Sequence, residues 1–390
     1  MTQLFTPLPE KNRTIAIDVL RGFALIGILL VNMPTFHSPF LYLDSSTYWP
    51  SMMDQFFSGI VDLFAQSNFY PLFAFLFGYG AMIIAERSQM KGIYFPTFFA
   101  RRLTILLVIG CIHAFLIWNG DILITYAITG FFFILVYQFS GKMLLRIGIA
   151  IYCIPVLLTT FSPMQSQEHF GENSKAIQTS IQTYKNGSIL EILKQRATDW
   201  IYMNVEMSAV ILGIGVIGLM LLGAAFAKQR WLVDVDKHKR LLIGLLITGL
   251  LLGFGARIAS SFYMDNLFLM NMQEQFSGAF IALFYMMVIV LSAQTQVGQK
   301  LLKPLANVGR LSMSNYLLQS IAMTFIFYSY GLGLYGSISY TVGFVLVFGF
   351  FIIQILVSKW WVTRFQYGPV EYIWRWATYG QKPMFKKKPH

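Results

Sequence analysis

His113 stands twelve residues beyond Arg101 in an otherwise apolar stretch, and Asp121 follows it across an Asn119-Gly120 turn. At about 1.5 Å of helix rise per residue, His113 sits roughly 18 Å above the arginine. The turn then brings Asp121 back to the level of the histidine. An imidazole beside a carboxylate is the pairing of a general base with the group that orients it. Plainer uses stay open: a hydrogen-bonded core histidine, and an Asp121 that caps the following helix. A second set of residues lies at another depth. Asp18 and Arg21 are three apart on one helix face and can pair, with Arg101, Arg102 and Arg310 at a similar level. Arginine suits bidentate phosphate contact, although these residues could equally fix topology or bind anionic lipid. Asn315, Tyr316 and Gln319 lie deeper in the same apolar run as Arg310, and Asn315 and Gln319 share a face. Asn32, Asn119, Glu206 and Arg257 fall near the level of His113.

These positions attract attention because of the elements that must carry them. Of 390 residues, 56% are hydrophobic and only 12% charged, about half the charge of a usual soluble protein. Mean hydropathy is +0.60. An ionisable side chain inside a bilayer costs about 2.5–3.5 kcal/mol on insertion scales, so each exception nominates a function. Apolar runs long enough to span occur over 14–34, 67–86, 101–119, 121–139, 142–162, 206–228, 240–262, 275–295, 304–328 and 337–360, which predicts an all-α polytopic membrane protein with about ten transmembrane helices. If each run reverses the side, 23 of the 29 Lys and Arg fall on one face, and both termini are expected in the cytoplasm. The net charge of +12 is then mostly a topology signal, and no nucleic-acid partner is expected. The expected organisation is an N-terminal bundle over 1–162, an extracytoplasmic polar loop over 163–205, and a C-terminal transmembrane domain with a basic tail over 206–390. Within the loop, Ile189, Ile192, Leu193, Ala197, Trp200 and Ile201 are spaced as one face of an amphipathic surface helix. The 35–66 region reads as an interfacial or re-entrant piece. The first apolar run, broken by Asp18 and Arg21, does not read as a removable signal peptide. Cys111 and Cys153 are expected as free thiols. No metal-ligand spacing, phosphate loop or dinucleotide fingerprint is present.

Longer motifs carry a resemblance. The stretches IAIDVLRGFALIGILLVNM from Ile15, NFYPLFAFLFGYG from Asn68, RRLTILLVIGCIHAFLIWNGDILITYAITG from Arg101, GRLSMSNYLLQS from Gly309 and GPVEYIWRWATYG from Gly368 resemble the YeiB family of bacterial membrane proteins. The last two are similar to that family's C-terminal domain of unknown function. The resemblance implies a relation to transmembrane acyltransferases, which share the Asp-x-x-Arg-Gly pattern found here from Asp18 to Gly22. Those enzymes are understood to take an acyl group from cytoplasmic acyl-CoA and deliver it across the membrane. In the acyltransferase-three pattern a functional His follows an Arg after ten residues, where this chain has Asn32 after Arg21. The base must then come from elsewhere, and His113 is the substitute.

The leading expectation is therefore a multi-pass protein of the bacterial cell membrane that is acyltransferase-like. Acyl-CoA would be the donor, its phosphates held by Arg21, Arg101, Arg102 and Arg310. His113, oriented by Asp121 or Asn119, would act on the acceptor or receive the acyl group itself. The alternative is a small-molecule transporter in which Asp18, Arg21, His113, Asp121, Glu206 and Arg257 line a charged path. A sensor or accessory subunit without turnover is the third. Expected partners are the lipid bilayer and a small-molecule substrate, with a homo-oligomer left open.

Overall fold

The computed structural model describes residues 15–160, 173–204, 207–261 and 276–387. Glu206 lies outside them. Each apolar run of the sequence becomes helix, because in a bilayer the backbone donors and acceptors must be satisfied within the segment itself. The first half comprises α1 (Ile15–His37), the short α2 (Ser45–Tyr48), α3 (Met52–Phe64), α4 (Phe69–Met90), α5 (Phe95–Ile112), α6 (Leu123–Val136) and α7 (Gly141–Thr160). A polar hairpin follows, α8 (Ser174–Asn186) and α9 (Ile189–Asn204). Then come α10 (Met207–Lys228), α11 (Val235–Thr248), α12 (Gly255–Ser261), α13 (Gly278–Ser292), α14 (Gln296–Gly309), α15 (Ser312–Phe327), α16 (Tyr340–Arg364) and α17 (Pro369–Tyr379).

Among the described residues, six segments are long and apolar enough to cross a membrane: Ile15–His37, Met52–Met90, Phe95–Ile117, Val210–Lys228, Val235–Ala259 and Tyr340–Arg364. Leu123–Val136 and Gly278–Ser292 are apolar but shorter. The run expected over 304–328 is two helices, α14 and α15, parted at Arg310 and Leu311. In α9 the buried side chains are Ile192, Arg196 and Asp199, whereas Ile189 is 66% and Ile201 52% exposed. Ile192 is buried beside the polar pair, Leu193, Ala197 and Trp200 are half-buried, and Ile189 and Ile201 face outward.

Among the helix pairs that meet at backbone distance, α4–α10 and α1–α14 do so through reciprocal pairs of glycines. A Cβ on Gly78 of α4 would lie 1.9 Å from the Met220 carbonyl of α10, and one on Gly223 1.9 Å from the Phe75 carbonyl. In the same way Gly22 of α1 faces Leu305 of α14, and Gly309 faces the Asp18 carbonyl at 1.8 Å from its absent Cβ. Small residues allow this approach, and dispersion between close backbones is what holds helices together in lipid. The contact between α1 and α14 thus joins two of the sequence motifs, DVLRG and GRLSMSN, at what we term the basic end of the bundle. His37 and the α8–α9 hairpin mark the opposite end.

Candidate functional site

The helix that carries His113 changes type at that residue. From His113 to Ile117 the chain forms a π-turn, closed by Trp118 N–H donating to the His113 carbonyl at 2.8 Å. Such widened turns recur at functional sites because they re-aim a side chain relative to a regular helix. The Trp118 ring then folds back over Gly120, where a Cβ would come within 2.1 Å of it, so only glycine fits this reversal. The start of α6 is pressed against α5 at Gly110. The outcome is that His113 Nδ1 lies 2.7 Å from Asp121 Oδ1, with both side chains fully buried. Asp121 Oδ2 accepts from the Ile124 N–H at 2.8 Å. The capping use and the pairing with histidine are therefore both realised, one on each carboxylate oxygen. Asn119 does not touch the imidazole: its amide donates to Met203 Sδ at 3.7 Å.

The other imidazole nitrogen meets a residue that the sequence did not nominate. His113 Nε2 is 2.8 Å from Ser320 Oγ, on α15, and Ser320 is 1% exposed. A carboxylate at Asp121 can only accept, which places the proton on Nδ1 and leaves Nε2 to accept from the serine hydroxyl. Tyr316, one turn before Ser320, packs its ring 5.0 Å from the imidazole and donates to the Gly120 carbonyl at 3.3 Å. Trp118 flanks the other side at 6.3 Å and stacks on Phe36. Ser320, His113 and Asp121 thus form a buried hydrogen-bonded line with the order and donor pattern of a nucleophile, base and orienter.

Asn315 and Gln319 share a face of α15 as expected, and they tie helices together. Asn315 Nδ2 donates to the Val308 carbonyl and to Ser358 Oγ, each at 3.0 Å. Gln319 Nε2 donates to Gln354 Oε1 at 2.9 Å and to the Leu25 carbonyl at 3.2 Å. Gln354 Nε2 returns to the Asn315 carbonyl at 3.0 Å. These bonds lock α15 against α1 and α16, and so fix where Ser320 stands.

At the basic end, Arg21 pairs with Asp18 at 3.5 Å, and its guanidinium also lies 3.5 Å from where a Gly80 Cβ would be. The Arg102 guanidinium lies 3.5 Å over the Trp374 ring, while Trp374 Nε1–H donates to the Arg102 carbonyl at 3.0 Å. Arg21 and Arg375 are close enough to Arg102 to repel its charge, and Arg375 acts likewise on Arg87. Arg21, Arg87, Arg102 and Arg375 therefore influence one another pairwise at this end of the bundle; Arg87 and Arg375 were counted in the sequence only as topology markers. Arg101 takes a different position, beside the left-handed Gly380 that ends α17, where a cation complements the helix dipole. Arg310 is half-buried at the break between α14 and α15. Glu371 of α17 accepts from the Met313 N–H at 2.7 Å, the Ser314 N–H at 3.1 Å, and the Ser314 hydroxyl. It thereby caps the start of α15.

Two expected site residues serve other ends. Arg257 is 1% exposed and donates to the carbonyls of Asp62 at 2.6 Å, Leu63 at 3.2 Å and Gln66 at 2.9 Å. It closes the C-terminus of α3. Asn32 is half-buried on α1, its carbonyl accepting from the Thr35 hydroxyl at 2.7 Å. Between these helices and α8–α9 lies a small crevice, with room for about one water molecule, lined in part by Tyr42, Asn119, Tyr184 and Asp199. Asp199 accepts from Tyr42 at 2.7 Å, Tyr184 at 2.6 Å and Gln195 at 2.7 Å. Burial pushes its carboxyl above the ordinary carboxylate range, against the pull of those bonds and of Arg196.

Residues 226–381 match the family described as "Protein of unknown function (DUF418)", a segment that contains Ser320 and Glu371 but not His113. Over 400 residues the chain is 36% identical to the uncharacterized protein YxaH of Bacillus subtilis (strain 168), covering 98% of each. It is 30% identical over 386 residues to the uncharacterized protein YeiB of Escherichia coli (strain K12), covering 94% of this chain and 96% of that one. An uncharacterized 39.9 kDa protein encoded in the amylase 3' region of Bacillus acidopullulyticus is 27% identical over 391 residues.

Proposed function

The chain belongs to the YeiB family, and from that premise we propose that it is a membrane-embedded acyltransferase of the bacterial cytoplasmic membrane, with about ten spans and both termini in the cytoplasm. The observation that carries this reading is His113 held between Asp121 at 2.7 Å and Ser320 at 2.8 Å, with all three side chains buried. A neutral imidazole so oriented accepts a hydroxyl proton and later returns it, which is what acyl transfer requires. The basic end supports an anionic donor. Arg21, Arg87, Arg102 and Arg375 outnumber the nearby Asp18 and Glu86, and guanidiniums suit the phosphates of an acyl-CoA. That donor would supply an activated thioester. Ser320 lies eight residues along α15 from Ser312, about 12 Å from the basic end, a gap for an extended arm to cross.

Purified protein in lipid nanodiscs tests this with radiolabelled acetyl-CoA. Wild type is expected to bind it and release free CoA slowly. Arg375→Ala should weaken binding, and His113→Ala should stop release while sparing binding. Absence of acetyl-CoA binding by wild type would end the acyl-CoA reading. Proton-coupled flux in vesicles, lost with Asp121→Asn, would favour transport instead.

A further inference from the structure

We infer that Ser320 is the residue that carries the acyl group, so that transfer proceeds through a covalent acyl-serine ester and not by direct attack of the acceptor on the donor. The inference rests on the acyltransferase reading for its donor, but its own support is geometric. Ser320 Oγ lies 2.8 Å from His113 Nε2, and the opposite ring nitrogen is fixed by Asp121 at 2.7 Å. A serine with a purely structural role in a membrane helix commonly donates to the carbonyl one turn earlier on its own helix. Thr324 does this with the Ser320 carbonyl at 2.9 Å. Ser320 instead contacts an imidazole from a different helix, 207 residues away in sequence. The lines of support converge on one atom: the π-turn aims His113, Asp121 sets its tautomer, and Gln319, the neighbour of Ser320, is locked to Gln354 and the Leu25 carbonyl.

The step balances without a further reactant. Ser320 Oγ attacks the thioester carbonyl as its proton passes to His113 Nε2; the carbon–sulfur bond breaks, and the imidazolium returns the proton to the departing thiolate. The products are an acyl-serine and a free thiol. The acceptor hydroxyl or amine then gives its proton to the same nitrogen, attacks the ester, and restores Ser320. The exclusion of water around a hydroxyl 1% exposed protects this ester from hydrolysis until an acceptor enters. Because three spaced groups share the task, the closure of Tyr316 and Trp118 around the imidazole is part of the same device.

The test uses the full-length protein in detergent and a small alkyl fluorophosphonate bearing a reporter, which phosphonylates an activated serine without needing the natural donor. The expected result is one label, on the peptide containing Ser320, abolished in Ser320→Ala and slowed by about 10²-fold or more in His113→Ala. Ser320→Ala removes one small atom and preserves packing, and labelling of the wild type is itself decisive should His113→Ala fold poorly. A parallel incubation with radiolabelled acetyl-CoA and no acceptor should leave base-labile label on the same peptide. A wild type that is not phosphonylated at Ser320 overturns the inference. If that protein still consumes acetyl-CoA, direct transfer replaces the covalent route and the acyltransferase reading survives. If Ser320 is phosphonylated but acetyl-CoA is untouched, the nucleophile stands and the acyl-CoA donor falls.

Discussion

Replacing Asp121 by Asn changes one atom and should separate the chemistry from the fold. Asp121 Oδ1 faces His113 Nδ1 at 2.7 Å and Oδ2 accepts from the Ile124 N–H at 2.8 Å. Asn keeps one carbonyl oxygen, which the Ile124 N–H, able only to donate, will claim. The amide then points its NH₂ at His113 and forces Nδ1 to become the acceptor. The proton moves to Nε2, the nitrogen that faces Ser320, and the imidazole can no longer receive a proton from the hydroxyl. This tautomeric inversion is worth about 10⁴-fold in rate where it has been isolated in serine triads, or about 5.5 kcal/mol of activation free energy. The fold loses much less: one buried charge-assisted bond becomes a neutral one, about 1 kcal/mol. The two effects are thus separable by size. Fluorophosphonate labelling should fall by three to four orders of magnitude, while the unfolding midpoint in detergent moves by only a few degrees, roughly as 1 kcal/mol would move it. Histidine ¹⁵N resonances should report the proton exchanged between Nδ1 and Nε2. Labelling within tenfold of wild type, or an unchanged tautomer, would refute the assignment of Asp121 as orienter.

Three further outcomes follow from the packing. Gly309→Ala must push a Cβ into space 1.8 Å from the Asp18 carbonyl and should cost about 1–3 kcal/mol or more through overpacking. Gly244→Ala, with nothing within 4 Å, should be neutral or stabilising by up to about 1 kcal/mol. Equal thermal midpoints for the pair would show that the α1–α14 approach is loose. Arg257→Ala strips three carbonyls at the end of α3 of their donor, a loss on the order of 3 kcal/mol, with Arg257→Lys recovering only part; proteolysis within 52–66 should report the released segment. For Asp199 the sign runs one way. Its carboxyl is held above the ordinary range by burial, so the folded state binds that proton more tightly than the unfolded chain. Stability from this group is then full below about pH 4 and declines as pH rises through the raised value. Protection of α8 and α9 against hydrogen exchange, corrected for the intrinsic pH dependence of amide exchange, should fall on going from acid to neutral pH, and Asp199→Asn should flatten that trend; protection that rises toward neutrality would contradict it.

What could be read from sequence depended on how local each interaction is. His113 and Asp121 are eight residues apart across a glycine reversal, so their meeting at 2.7 Å was visible in spacing alone. Ser320 was not. Its neighbours Asn315 and Gln319 stood out as large amides, whereas one serine among several on α15 carries no distinguishing signal until the register of α15 against α5 is known. Arg257 illustrates the opposite error. A charge inside an apolar run reads as functional because water is absent, yet here both terminal guanidinium nitrogens donate to carbonyls at the end of α3. Those carbonyls belong to a segment whose sequence shows only interfacial aromatics. Arg87 and Arg375 were hidden by their usefulness as topology markers, since a residue that fixes orientation can also face inward. In α9 the apolar spacing marks a surface helix, but the burial of Arg196 and Asp199 was not visible, because it depends on Tyr330, Tyr42 and Tyr184 of other elements.

The short terminal helix α17 acts at a distance. Glu371 holds the start of α15, and Trp374 grips α5 at Arg102, so one element fastens two rods whose far ends bring Ser320 and His113 together. In mechanical terms it is the rivet of a pair of tongs. His113 lies eleven residues beyond Arg102, an arm of roughly 16 Å. A tilt of about 4° at the rivet would shift the jaw by about 1 Å, a displacement that can cost 10²-fold in rate. Damage to Trp374 or Glu371 would then look like loss of the nucleophile, although neither residue comes near it. The part of the chain most easily mistaken for a trailing tail sets the alignment of the part that reacts.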